Sequence, residues 1–157
     1  MGFMDKLKAM KNAVTGGAAD VSLEIIDPSL EEPFVIKIKA RTRDAEVKID
    51  KVYLNVRGVE YVEVPDVDVY YDEDDGHSSM LEIVSHETIT LEIEIDVSGP
   101  QVLEAETEFE WECQVALPED SLPCYDGRKA KHYYQALGAI ECFGNYPDSG
   151  WIEFYVD

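Results

Sequence analysis

Residues 104–114 constrain the fold of this chain more than any other stretch. Glutamate fills every second position from Glu104 to Glu112, and the positions between hold apolar or small residues, namely Ala105, Thr107, Phe109, Trp111 and Cys113. Successive side chains of a β-strand point to opposite faces, so this alternation predicts a strand with one glutamate face and one apolar face. The apolar face is expected to join a buried core.

The same period of two recurs along most of the chain. Further strands are predicted over residues 21–25, 34–43, 46–57, 80–97, 131–142 and 151–156. Turn signals such as Asp27-Pro28-Ser29 and Ser98-Gly99-Pro100 separate them. At 157 residues the chain is long enough for one domain with a sizeable core. Many short alternating strands without an internal helical period predict an all-β, immunoglobulin-like antiparallel β-sandwich over residues 18–157.

Residues 1–17 follow a different pattern. Apolar residues recur there at helical spacing with lysines between them, namely Phe3, Met4, Lys6, Leu7, Lys8, Met10, Lys11 and Val14. The segment therefore predicts a short basic amphipathic helix that precedes the sandwich domain. Two roles stay open. The helix packs on the sandwich, or it contacts a partner protein or, weakly, a membrane surface through Phe3, Lys6, Leu7, Lys8, Met10 and Lys11.

Residues 65–79 form a dense acidic run. The prediction is a solvated, mobile loop, because closely spaced like charges repel one another and attract water. Oxygen-rich loops can also hold Ca²⁺, and the candidate ligands here are Asp72, Asp74 and Asp75. Their spacing does not fit an EF-hand loop, and no glutamate stands at the position of its last ligand.

The net charge of −21 limits the classes of partner. Such a surface repels nucleic acid and anionic lipid and favours basic protein partners, so we expect no nucleic-acid binding. The three cysteines, Cys113, Cys124 and Cys142, are an odd number without close spacing. They predict reduced thiols in a cytoplasmic protein and no disulfide framework. A homo-oligomer is compatible with this composition.

No residue pattern indicates a catalytic or cofactor site. The histidines His77, His86 and His132 lie in different predicted segments. Cys124 and His132 are the one thiol–base pair considered, and a loop cysteine without a defined partner is weak support for catalysis. Neither a phosphate-binding glycine loop nor zinc-ligand spacing occurs. We therefore expect a non-enzymatic protein without a cofactor. Exposed aromatic residues leave carbohydrate binding as an alternative.

A second set of motifs follows the glutamate strand and carries a family resemblance. Leu117-Pro118, Leu122-Pro123 and Tyr125-Asp126-Gly127 are followed by Tyr134 in a strand. This order resembles the end of the arrestin N-type domain, and residues 1–25 are similar to the start of proteins in the bacterial Spo0M (sporulation-control) group. The resemblance implies a single arrestin-like sandwich where that group usually has two. It also implies a cytoplasmic adaptor or regulatory scaffold that acts through protein–protein contacts.

Strand order in an immunoglobulin-like sandwich adds one structural prediction. Residues 34–43 and 104–114 become neighbours in one sheet. Lys37, Lys39 and Arg41 would then lie beside the glutamates of residues 106–112 and form a cross-strand ion ladder. The proline-rich loop after that strand is expected to carry the chain from one sheet to the other.

Overall fold

The computed structural model describes residues 18–72, 76–142 and 145–156. The predicted helix over residues 1–17 lies outside this part of the chain. The described residues form ten strands, which in chain order are β1 (Ala19–Ile26), β2 (Phe34–Thr42), β3 (Val47–Ile49), β4 (Lys51–Asp72), β5 (Gly76–Ser98), β6 (Gln101–Leu103), β7 (Glu108–Val115), β8 (Tyr125–Asp126), β9 (Ala130–Glu141) and β10 (Ile152–Phe154).

The strands pair antiparallel in two main sheets. One sheet has the order β1-β2-β7, and the larger sheet has the order β10-β9-β4-β5 with β8 added beside β9. The short strands β3 and β6 pair with each other. The predicted all-β, antiparallel fold is confirmed.

The two sheets enclose one hydrophobic core. Side chains that alternate along each strand meet in it: Ile36 and Ile38 come from β2, and Leu54 and Val56 come from β4, all fully buried. At one end of the core the Phe34 and Phe154 rings meet edge to face, 5.8 Å between centroids. Burial of this alternating apolar set is the main force that holds the sheets together.

The predicted ion ladder is present on the outer face of the smaller sheet. Lys37, Lys39 and Arg41 stand opposite Glu112, Glu110 and Glu108 in the β2–β7 register. Lys37 Nζ lies 3.4 Å from Glu110 and 3.5 Å from Glu112, and Arg41 lies 3.2 Å from Glu108. Lys39 turns to the other neighbour and pairs with Glu24 on β1 at 2.7 Å. Each cation of β2 thus joins neighbouring strands.

The glutamate strand begins later than its alternation predicted. Glu106 has a left-handed backbone, with φ of 52°, and lies in a turn before β7. Thr42 holds this turn, because its hydroxyl accepts the Thr107 N–H at 3.0 Å and donates to the Glu104 carbonyl at 2.5 Å. The alternation of glutamates therefore runs past the end of the strand.

The predicted loop over residues 65–79 is wrong. Strands β4 and β5 continue through it, and their pairing reaches Asp72 opposite Gly76. A valine or tyrosine stands at every second position of β4 here, between the acidic residues. This period-two pattern, together with a partner strand that satisfies the backbone hydrogen bonds, favours an extended conformation.

Screening by salt should show which electrostatic effect dominates stability. Raising NaCl from about 0.05 M to 0.5 M is expected to raise the melting temperature by about 3 °C, because the self-repulsion of a chain with net charge −21 is screened. All ladder side chains except Lys37 are more than 40% exposed, so screening removes little stabilisation from the ladder. Thermal unfolding followed by circular dichroism measures this. A falling melting temperature would instead show that the ion ladder dominates.

Candidate interaction surface

The β4–β5 hairpin extends well beyond the sandwich. Pairing of β4 with β9 ends at Val62 opposite Ala130, with one further backbone hydrogen bond from Glu63 N–H to the Lys129 carbonyl at 2.7 Å. We call residues 64–72 and 76–84 the ribbon. Among the residues described, no third strand pairs with either edge of the ribbon.

A β-bulge lies a few residues before the ribbon, within the larger sheet. The β4–β5 register shifts between Gly58 and Val59, which leaves Thr90 as the extra residue of β5. The smaller sheet ends near this level. In the larger sheet Gly58 pairs with Tyr134, which pairs with Phe154. The Phe154 ring contacts Phe34, the first residue of β2 in the smaller sheet. The ribbon thus projects past the end of the second layer, and the described side chains on both of its faces, such as Val64 and Val67, are exposed.

A buried histidine joins three segments at the bulge. His132 on β9 is fully buried, and its Nδ1 donates to the Pro123 carbonyl at 3.0 Å. Since a carbonyl only accepts, Nδ1 carries the proton, and Nε2 accepts the Thr90 hydroxyl at 2.8 Å. This contact ties β5, β9 and the proline-rich loop together. The thiol–base hypothesis for Cys124 and His132 is not supported, because both ring nitrogens face other groups; Cys124 Sγ accepts the Val156 N–H at 3.4 Å.

The proline-rich loop packs against the same region. Residues 116–124 connect β7 in the smaller sheet with β8 in the larger one, as predicted. The Tyr134 hydroxyl donates to the Leu122 carbonyl at 2.6 Å, and burial raises the pKa of Tyr134. The Tyr125 hydroxyl donates to Glu60, a hydrogen bond that raises the pKa of Tyr125. These contacts support the base from which the ribbon projects.

Removal of the Tyr134 hydroxyl tests how much the loop contact stabilises this base. Tyr134→Phe is expected to lower the free energy of unfolding by about 1 kcal/mol, because the ring still fills its buried site while the hydrogen bond to the Leu122 carbonyl is lost. Urea unfolding of the variant and the parent measures it. Tyr155→Phe is the control, since the Tyr155 ring is exposed and its hydroxyl donates to Glu153 on the surface. Equal effects of the two substitutions would contradict a specific role of the loop contact.

One face of the ribbon is apolar and exposed. Pro65 pairs with Ile83 and Val67 pairs with Leu81, so these four side chains share a face. We call them the apolar ribbon face. Val67, Leu81 and Ile83 are 56%, 68% and 65% exposed. Monomeric soluble proteins rarely expose apolar side chains in such a contiguous group unless the group serves as a contact surface.

The surroundings of this face are acidic. No lysine or arginine occurs between Arg57 and Arg128, a stretch that includes the whole ribbon. Glu63 lies on the same face as Pro65, two residues nearer the sandwich. Asp66 and Glu82 project from the reverse face. A group that docks on the apolar ribbon face therefore meets a negative potential.

Aromatic residues on the outer face of the larger sheet are covered by cations. Arg57 lies over the Trp151 ring, 3.8 Å from its centroid, and Lys131 lies 5.6 Å and 5.1 Å from the Tyr61 and Tyr133 centroids. Cation–π contacts of this kind occupy the ring faces. A sugar would need those same faces for stacking, so the arrangement gives carbohydrate binding no support.

Most of the candidate site residues predicted from the sequence lie outside the described residues. Phe3, Lys6, Leu7, Lys8, Met10 and Lys11 lie outside the described residues. Asp74 and Asp75 do so as well, and Asp72 ends β4 opposite Gly76. Within the described ranges, no group of three His, Cys, Asp or Glu residues could hold a metal ion.

None of the three cysteines, all in the described part of the chain, forms a disulfide. Cys113 and Cys142 are buried, and burial raises the pKa of both thiols. A higher thiol pKa leaves less reactive thiolate, so these two cysteines act as small apolar core residues. In the described part of the chain, no helix is long and apolar enough to cross a bilayer.

The fold and this surface define a class: an antiparallel β-sandwich from which a long two-stranded ribbon projects. No protein-family model matches the chain, and no curated protein sequence matches it. Among solved structures, its fold is similar to that of Spo0M, a sporulation control protein from Bacillus subtilis, with a TM-score of 0.57 and 14% sequence identity. The match covers 90% of this chain and 50% of that one. The Spo0M-like, arrestin-like fold expected from the motifs is thus supported, and the chain spans about half the length of Spo0M.

Proposed function

We propose that this chain is a non-enzymatic adaptor or regulatory scaffold that acts through protein–protein contacts. The observation that carries the proposal is the apolar ribbon face, whose Val67, Leu81 and Ile83 side chains are more than half exposed. Burial of these side chains against a partner releases water from apolar surface and drives association. The ribbon is therefore the principal contact surface in this proposal.

The ribbon offers a partner two modes of contact. Its unpaired strand edges can add a strand from another chain, through backbone hydrogen bonds, and its apolar face can hold an amphipathic segment. The acidic surroundings favour a basic partner, since complementary charge speeds encounter and excludes acidic competitors. We propose a protein partner with basic and apolar residues side by side, and a cytoplasmic location in keeping with three cysteines that form no disulfide.

The fold similarity supports a regulatory role without identifying the partner. Spo0M is described as a sporulation control protein. By analogy, this chain would act by contact and not by chemistry. The alternatives raised by the sequence, Ca²⁺ response and carbohydrate binding, have no specific observation in their favour among the described residues.

Comparison of two surface variants tests the proposal. Leu81→Ser with Ile83→Ser removes two exposed side chains of the apolar ribbon face. The matched control, Val102→Ser with Ile152→Ser, removes two exposed apolar side chains from β6 and β10. Parent and control are expected to recover the same proteins from native lysate, in equal amounts by quantitative mass spectrometry. The ribbon variant should lose those proteins by about tenfold. Unchanged recovery with the ribbon variant would overturn the proposal.

A further inference from the structure

We propose that the apolar ribbon face binds residues 1–17 of a second copy of this chain. The inference rests on the proposed role of the ribbon as a contact surface and names one occupant for it. The result would be self-association in which the sequence-predicted basic helix of one copy lies on the ribbon of another.

The two surfaces are complementary in polarity. Residues 1–17 contain three lysines and one aspartate, and they carry apolar residues at helical spacing, including Leu7 and Met10. A helix with this spacing presents one apolar stripe flanked by lysines. The ribbon offers apolar side chains about 5 Å apart across its two strands, and Glu63 and Glu87 place carboxylates on the same face where it joins the sandwich. A helix seated on the apolar ribbon face would bring its lysines to these carboxylates.

The chain geometry favours a second copy over the segment of the same copy. Gly138 on β9 pairs with Leu54 on β4. Gly138 also faces Leu23 on β1, since a Cβ added to it would lie 2.6 Å from Leu23 Cδ2. Leu23 and Leu54 therefore lie at the same level of the sandwich. Val67 lies thirteen residues beyond Leu54 along β4, which is about 43 Å of strand.

The start of β1 lies in the opposite direction. β1 runs toward the ribbon end of the sandwich, since Ala19 pairs with Thr42 and Ile26 pairs with Val35, the neighbour of Phe34. Ala18 therefore stands about 17 Å on the far side of Leu23, and Val67 is about 60 Å away. The eleven residues from Leu7 to Ala18 reach at most about 40 Å when fully extended. The segment cannot seat Leu7 on its own ribbon.

The proposed contact joins unlike surfaces of two copies. Such an interface is heterologous, and it either closes in a small ring or continues as an open series. The average mass in solution is therefore expected to rise with protein concentration. Higher salt should weaken the association, because it screens the attraction between lysines and carboxylates.

The test mixes two full-length variants, each defective in one half of the contact. The segment variant carries Phe3→Ser, Leu7→Ser and Met10→Ser. The ribbon variant carries Val67→Ser, Leu81→Ser and Ile83→Ser, all at exposed positions. Sedimentation velocity of differently labelled proteins gives the mass of each. The parent is expected to associate, each variant alone to stay monomeric, and the mixture to form a complex with one copy of each.

A third variant keeps the test informative if serine substitutions disturb folding. Lys6→Glu, Lys8→Glu and Lys11→Glu reverse the charge of the segment and leave the apolar positions intact. Association is expected to weaken by about tenfold at low salt, with a smaller change at high salt. Melting curves that match the parent verify that each variant is folded.

Three results would overturn the inference. The first is a parent protein that stays monomeric at about 100 µM, because a contact of micromolar affinity would be mostly formed at that concentration. Alternatively, the segment variant associates as the parent does, which indicates a ribbon–ribbon contact. In the third case, the mixed variants form no complex. None of these results bears on the recovery of partner proteins from lysate. Conversely, unchanged partner recovery by the Leu81→Ser, Ile83→Ser variant would not affect self-association. The two proposals therefore fail separately.

Discussion

Replacement of Gly58 by alanine is expected to lower the free energy of unfolding by about 3 kcal/mol. A Cβ at this position would lie 2.5 Å from Thr90 Oγ1 and 3.2 Å from both His132 Nε2 and Tyr134 Cε1. The nearest atom belongs to a short side chain held in the hydrogen bond to His132, so it cannot move away without breaking that bond. The cost combines overpacking with the loss of a buried hydrogen bond, and urea unfolding measures it.

Gly99→Ala is the matched control, because a Cβ at Gly99 meets nothing within 4 Å and this glycine shows no positive φ. A stability close to that of the parent is expected for it. If Gly58→Ala is equally stable, the bulge can open without cost and does not act as a rigid base for the ribbon. Combining Gly58→Ala with Thr90→Ala should recover part of the loss, since the smaller side chain removes the closest contact.

The alternation of side chains predicts the strands, and the strand order of an immunoglobulin-like sandwich adds the ion ladder. The Lys37, Lys39 and Arg41 face and the glutamate face each repeat every second residue, and neighbouring strands in a sheet must match such faces. The family motifs added the course of the proline-rich loop. These features depend on residues close in sequence or on a regular pattern, so the sequence contains them directly.

The ribbon was missed because charge density obscured its period. Aspartate and valine alternate from Asp66 to Val69, and Leu81 and Ile83 occupy alternate positions on the returning strand. A comparison of these two alternating runs on either side of residues 73–75 could have predicted a hairpin. The acidic composition of these residues is typical of a loop, but a paired strand tolerates carboxylates on any face that solvent reaches.

The His132 contact and the Glu106 turn could not be predicted from local pattern. The partners of His132 are Thr90, which is 42 residues away, and the backbone carbonyl of Pro123. The turn at Glu106 depends on the Thr42 side chain, which lies more than 60 residues earlier. Contacts of this kind are set by the tertiary fold, so alternation along one strand holds no signal for them.

Excision of the ribbon is expected to separate folding from interaction. Replacing residues 65–83 with Asn-Gly joins Val64 to Val84 through a two-residue hairpin turn. These two residues are a hydrogen-bonded pair of the β4–β5 register, because the N–H of the preceding residue, Glu63, points to β9. The melting temperature should stay within about 3 °C of the parent, because the described apolar side chains removed are exposed and none of the described core residues lies in residues 65–83. Binding of a hydrophobic dye and recovery of partners should both be lost.

A shorter excision shows whether the apolar ribbon face or the ribbon's length matters. Replacing residues 67–81 with Asn-Gly joins Asp66 to Glu82 and removes Val67 and Leu81 while keeping Pro65 and Ile83. Partial dye binding and weakened partner recovery are expected, intermediate between the parent and the full excision. A cooperative loss of folding in either variant would contradict the view that the sandwich is stable without the ribbon. Full partner recovery by the longer excision would move the contact surface elsewhere on the sandwich, since the side chains that carry the proposal would be gone while binding persisted.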